Sequence, residues 1–118
     1  MSAQRRCKRL PLEIPVMVYG RTPKNIPFRD ITATKDVSAQ GGRIPLSSKV
    51  ELGQTVLLVH SLTGEERECR VVHVEPRKRG KTKKLVTVRV GVEFTHTQGD
   101  FWHVFGPIIA PKLAQASD

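Results

Sequence analysis

Two clusters in this 118-residue chain carry side chains suited to recognition chemistry. The first is Arg5-Arg6-Cys7-Lys8-Arg9, four cations in five positions. It suits an anionic partner, and taken alone it reads first as a solvated basic tail. The second is Asp36-Val37-Ser38-Ala39-Gln40-Gly41, an Asp-x-Ser-x-x-Gly pattern that this composition yields by chance in about one such chain in fifty. In a purely structural role these residues make a strand end with an Asx-type turn. Asp36 or Ser38 then bonds nearby backbone, and Gly41 takes a positive φ. The patterns of catalysis are missing: there is no His-Glu-x-x-His, Cys-x-x-Cys, Gly-x-Ser-x-Gly or Gly-x-x-x-x-Gly-Lys. His60, His73, His96 and His103 are too scattered for a metal site and read as surface or rim histidines. Cys69 reads as an inert, half-buried strand thiol. Cys7 reads as a spectator, although its arginine neighbours would lower its pKa. The expectation is a protein with no catalytic residue, no metal and no cofactor.

The charge narrows the choice of partner. Twenty Lys and Arg against eleven Asp and Glu give +9. Arg77, Lys78, Arg79, Lys81, Lys83 and Lys84 fall in one short segment, and removing those six charges leaves +3. Removing the four of the arm as well leaves −1, so the body is neutral. An anionic partner meets the arm, the basic loop or both. The loop itself reads equally as a solvated hairpin tip, or as a contact for an acidic protein, nucleic acid or an anionic surface. The longest apolar runs, such as Val56-Leu57-Leu58-Val59, are far too short to span a membrane. No apolar stretch follows the basic start, and the two cysteines lie far apart. A soluble protein of a reducing cytoplasm is expected, and not an integral membrane protein.

The elements that must position these residues are strands. Leu12, Ile14, Val16 and Val18 alternate, with Pro15 on the other face at an edge or bulge. From Phe28 to Val37 the alternation is weaker, with Ile31 and Ala33 on the expected core face and Thr32 and Thr34 opposite. Gly42 to Leu46 reads as a short strand and Thr55 to His60 as a strand apolar on both faces. Thr63-Gly64 turns the chain into Glu65 to Glu75. Leu85 to Thr95 has the cleanest period, with Val86, Val88, Val90, Val92 and Phe94 on one face. Asp100 is placed to cap a short helix carrying Phe101, Trp102 and Phe105, a stripe expected to close the core, and Gly106-Pro107 ends it. About six strands and one short helix predict an all-β barrel or sandwich.

Together the motifs resemble the PilZ domain family, bacterial receptors for cyclic di-GMP. Arg5, Arg6 and Arg9 match the family's Arg-Arg-x-x-Arg. Asp36, Ser38 and Gly41, with Gly42 following, match Asp/Asn-x-Ser-x-x-Gly, and Gly91-Val92-Glu93-Phe94 matches a closing-strand Gly-Val-x-Phe. The resemblance covers nearly the whole chain in the expected order. It implies a six-stranded antiparallel β-barrel with a short C-terminal helix, and a ligand, cyclic di-GMP, held by Arg5, Arg6, Arg9, Asp36, Ser38, Gly41 and Gly42. Guanidinium groups fork onto guanine O6 and N7, stack on purines or pair with phosphate. Asp36 would accept from guanine N1–H and N2–H, Ser38 would offer a hydroxyl, and the glycines would let a flat base approach.

The organisation expected is a flexible basic arm over 1–10, a barrel over 11–110 and a tail over 111–118. Binding would order the arm and present a surface to a protein effector acting in trans. Two alternatives remain open: a small basic barrel for single-stranded nucleic acid, and an interaction adaptor with a vestigial nucleotide site. The scarcity of strand aromatics beyond Tyr19, Phe28 and Phe94 argues against the nucleic-acid reading.

Overall fold

Branched side chains at every second position favour a pleated, half-buried backbone. The computed structural model, which describes residues 9–76, 87–96 and 99–104, has no helix among them. Seven strands form one sheet: β1 (Pro15–Arg21), β2 (Pro27–Ala33), β3 (Asp36–Ser38), β4 (Gly41–Leu46), β5 (Thr55–His60), β6 (Glu66–Val74) and β7 (Val88–Phe94). Their order is β2-β1-β5-β6-β7-β4-β3, with every pair antiparallel.

The sheet curls until β2, at one end, meets β4, next to the other end, through polar side chains. Thr32 Oγ1 on β2 donates to the Pro45 carbonyl of β4 at 2.9 Å. Just past β4, the Asp30 carboxylate accepts from the Ser47 and Ser48 backbone N–H groups at 2.8 and 3.0 Å and from the Ser48 hydroxyl at 2.8 Å. Inside the curl, Val16 and Val18 of β1 pack with Ile44 and Leu46 of β4, Leu58 of β5 and Val90 and Val92 of β7. Truncating one of these large side chains, Leu58→Ala for example, costs about 2–5 kcal/mol.

The all-β antiparallel architecture agrees with the sequence, with differences that have physical causes. The segment read as one strand over 28–37 is two strands, because the chain leaves the ladder at Thr34-Lys35. Facing is reversed as far as Thr34, where Ile31 is 71% exposed while Asp30 and Thr34 are buried, but Val37 of β3 is buried as its alternation implies. Burial of polar atoms is tolerable only when they are bonded. Here they are, since Thr34 Oγ1 donates to the Leu12 carbonyl at 2.6 Å and accepts from Ile14 N–H at 2.9 Å.

The short C-terminal helix is not shown. Asp100 does bond the His103 N–H at 3.0 Å as a cap would. His103, however, has φ of 64°, in the left-handed region, which ends the turn there. Phe101 and Trp102 nonetheless close the core as expected, and Phe105 lies outside the described residues. The 85–86 start of the last strand and the Arg77–Lys84 loop also lie outside them. His60, expected at the surface, is buried at the end of β5, edge-on to Phe101 at 5.6 Å. Cys69 is fully buried, and desolvation pushes its thiol up to about 12, which makes it inert at neutral pH.

Candidate ligand-binding cleft

The Asp-x-Ser-x-x-Gly residues form a tight hairpin. Asp36 pairs with Arg43, Val37 with Gly42 and Ser38 with Gly41, leaving Ala39-Gln40 as a two-residue turn. Ser38 Oγ accepts from Gln40 N–H at 3.2 Å, so the serine caps its own turn. Gly41 does not take the positive φ expected of it; Gly53, Gly64 and Gly99 are the positive-φ glycines among the described residues. Its glycine is required by crowding. A Cβ there would lie within van der Waals radii of the Val92 carbonyl of β7, and the Gly41 carbonyl accepts from Trp102 Nε1 at 3.0 Å. Gly42 faces the same indole, where a Cβ would stand 3.3 Å from the ring.

Across the outer face of the sheet the registers align Asp36 of β3, Arg43 of β4, Gly91 of β7 and His73 of β6 in one row. A bulge between Val71 and His73 leaves Val72 without a partner on β7 and turns both Val72 and His73 outward. The N-terminal segment arrives at the far edge of β3. Leu10 and Val37 exchange both backbone hydrogen bonds, at 2.8 and 2.9 Å, which sets Arg9 beside the hairpin. A cleft of about 350 Å³ results, lined by Arg9, Asp36, Ser38 and Gly42 together with Arg43, Val72, His73, Gly91 and Val92.

Four of the seven expected site residues therefore meet at one cleft. Gly41 stands behind it as a packing residue, and Arg5 and Arg6 lie outside the described residues. The acid is not open to the cleft in the way the sequence suggested. Asp36 Oδ2 accepts from Arg43 Nε at 2.8 Å and from Arg43 Nη2 at 2.5 Å. The bond to Asp36 raises the Arg43 pKa above its ordinary value, against the opposing effect of burial. Two guanidinium groups facing one carboxylate leave the described wall with a positive balance, suited to an anion.

Sequence reading missed Arg43, His73 and the role of Gly91 in the row. Arg43 was within reach: taking Ala39-Gln40 as a two-residue hairpin loop puts it directly opposite Asp36. His73 was not, because the bulge that aims it outward leaves no mark in the alternation. Among the described residues no group of three or more His, Cys, Asp or Glu is arranged to hold a metal. Phe28 and Phe94 pack against the core, so of the strand aromatics only Tyr19 stands apart from it.

The sequence model of the PilZ domain family matches residues 3–103. No curated protein matches the chain by sequence at a significant level. Among solved structures, the PilZ domain of Escherichia coli YcgR with c-di-GMP superposes with a TM-score of 0.56 at 18% identity, over 80% of each chain. E. coli YcgR in complex with c-di-GMP superposes with a TM-score of 0.52 at 17% identity, over 77% of this chain. The match spans 38% of the length of that longer protein.

Proposed function

The chain belongs to the PilZ domain family, and from that premise we propose that it is a cyclic di-GMP receptor which binds the dinucleotide in the cleft beside the Asp36 hairpin. The observation that carries this reading is the Leu10–Val37 bridge. Through it, residues from two motifs far apart in sequence, Arg9 of one and Asp36, Ser38 and Gly42 of the other, line the same cleft. A similar fold, the PilZ domain of E. coli YcgR, solved twice with c-di-GMP, supports it.

The chemistry fits. Cyclic di-GMP brings two phosphates and two guanines to a cationic wall. Arg9, joined by Arg5 and Arg6, supplies planar forks for phosphate or guanine, a task that lysine cannot perform. Ser38 contributes a short hydroxyl at the rim, and Gly42 offers backbone to the cleft while its missing side chain leaves room for the Trp102 ring behind it.

Signalling follows from the arm. Arg9 is already set at the cleft by the Leu10–Val37 bridge, whereas the cations before it, Arg5, Arg6 and Lys8, repel one another and have little apolar surface to bury, so their ordering depends on a neutralising ligand. Binding folds the arm over the cleft and creates a surface for a protein effector in trans, in the cytoplasm. The test is calorimetric titration with cyclic di-GMP at physiological salt, with cyclic di-AMP and GMP as controls. Saturable heat with cyclic di-GMP alone, lost in Arg5→Ala/Arg9→Ala, is the expected outcome. Amide exchange in the arm that is unchanged at saturation would refute the ordering step while leaving the receptor intact.

A further inference from the structure

Resting on the cyclic di-GMP reading, we infer that Arg43 is the group on the strand wall that reads a guanine of the ligand, and that Asp36 serves by holding Arg43 in position. The order of the two side chains from interior to cleft decides their roles. The Asp36 side chain is 12% exposed and that of Arg43 is 38% exposed, so an incoming ligand meets the cation first.

Both bonds of the pair converge on one carboxylate oxygen, Oδ2, and engage Nε–H and one Nη2–H of the guanidinium. Of the five N–H donors, three remain for a ligand. On the side away from Asp36 the row continues to Gly91, which carries no side chain, and the next group is His73 of β6. Two strand spacings, about 9.6 Å, separate the Arg43 and His73 backbones, and His73 Cβ stands close over Gly91, where a Cβ would come within 3.2 Å of it.

The fixed orientation indicates what Arg43 reads. A phosphate is satisfied by any mobile cation, whereas a base edge demands donors held at a set angle. Arginine donors match guanine O6 and N7, and adenine puts an amino donor where O6 would be. Selectivity for guanine then passes through Arg43, and Asp36 is a positioning residue.

A double-mutant cycle on the full chain tests this, with Arg43→Ala, Asp36→Ala and the double variant titrated with cyclic di-GMP and, separately, cyclic di-AMP. Each single change is expected to weaken cyclic di-GMP binding about tenfold or more. The double variant should be no weaker than the worse single, because both remove the same contact. Arg43→Ala should also narrow the preference over cyclic di-AMP, and Arg43→Lys should not restore it. Arg43→Gln keeps a donor for Asp36 and preserves the hairpin if the alanine variant folds poorly; it too should lose the preference. Multiplying effects of the two single changes, or wild-type affinity in Arg43→Ala, would overturn the assignment while the receptor reading stands. A wild-type chain that binds no cyclic di-GMP would overturn both.

Discussion

Asp30 on β2 and Asp36 on β3 are equally buried, each 9% exposed, six positions apart in one continuous segment. Their partners could hardly differ more. Asp30 gives both carboxylate oxygens to fixed groups of the fold: two backbone N–H groups and a serine hydroxyl at the end of β4. Asp36 gives one oxygen to an arginine whose remaining donors face a cleft. A buried acid bonded to backbone closes a structure, and a buried acid bonded to a part-exposed cation aims it. Burial alone does not separate the two roles; the identity of the partner does.

The sharpest way to break the comparison is to truncate both acids. Asp30→Ala leaves two N–H donors and a hydroxyl without their acceptor and removes a tie between β2 and the chain just past β4. It should cost about 3 kcal/mol in urea unfolding, with ligand affinity of the folded fraction unchanged. Asp36→Ala should cost less than about 1 kcal/mol, because Arg43 is part-exposed and can turn to water, yet it should weaken ligand binding strongly. Equal stability losses would erase the distinction.

Acid offers a smaller effect, confined to the cleft end. His60 packs against Phe101 and Trp102, and Trp102 in turn holds the Gly41 carbonyl. Burial first, and the neighbouring His103 second, push the His60 pKa below its ordinary 6.5, while Glu65 and the Trp102 backbone oppose them in part. The unfolded chain therefore takes up a proton near 6.5 that the folded chain refuses. Stability present above that pH is lost as pH falls below it. Melting temperature should drop by a few degrees between pH 7.5 and 5.5, and His60→Gln should flatten the dependence. A flat wild-type profile would contradict this.

The same contrast explains what the sequence could disclose. β7 was legible because Val88, Val90 and Val92 alternate with Arg89 and Glu93, and burial follows the alternation. β2 misled because Ile31 and Ala33 alternate just as well, while the face that turns inward carries Asp30, Thr32 and Thr34. Only their hydrogen-bond partners, Ser47 and Ser48 for Asp30, Pro45 for Thr32 and Leu12 and Ile14 for Thr34, make that face stable, and period-two patterns cannot encode such partners. The site divided in the same way. Asp36, Ser38 and the two glycines were visible as a motif, but Arg43 became significant only once the hairpin register was known. His60 looked like a rim residue because nothing near it in sequence reveals that Phe101 and Trp102 fold over it.

Cyclic di-GMP titrated into isotope-labelled protein, with backbone amide shifts followed residue by residue, tests the central claim most directly, because it observes both acids in one experiment. The largest shifts should fall on Arg9, Ser38, Gly42, Arg43, Gly91 and His73, with Asp30, Ser47 and Ser48 staying in place. Shifts centred on the Asp30 end of the sheet, or none at saturating dinucleotide, would contradict the account.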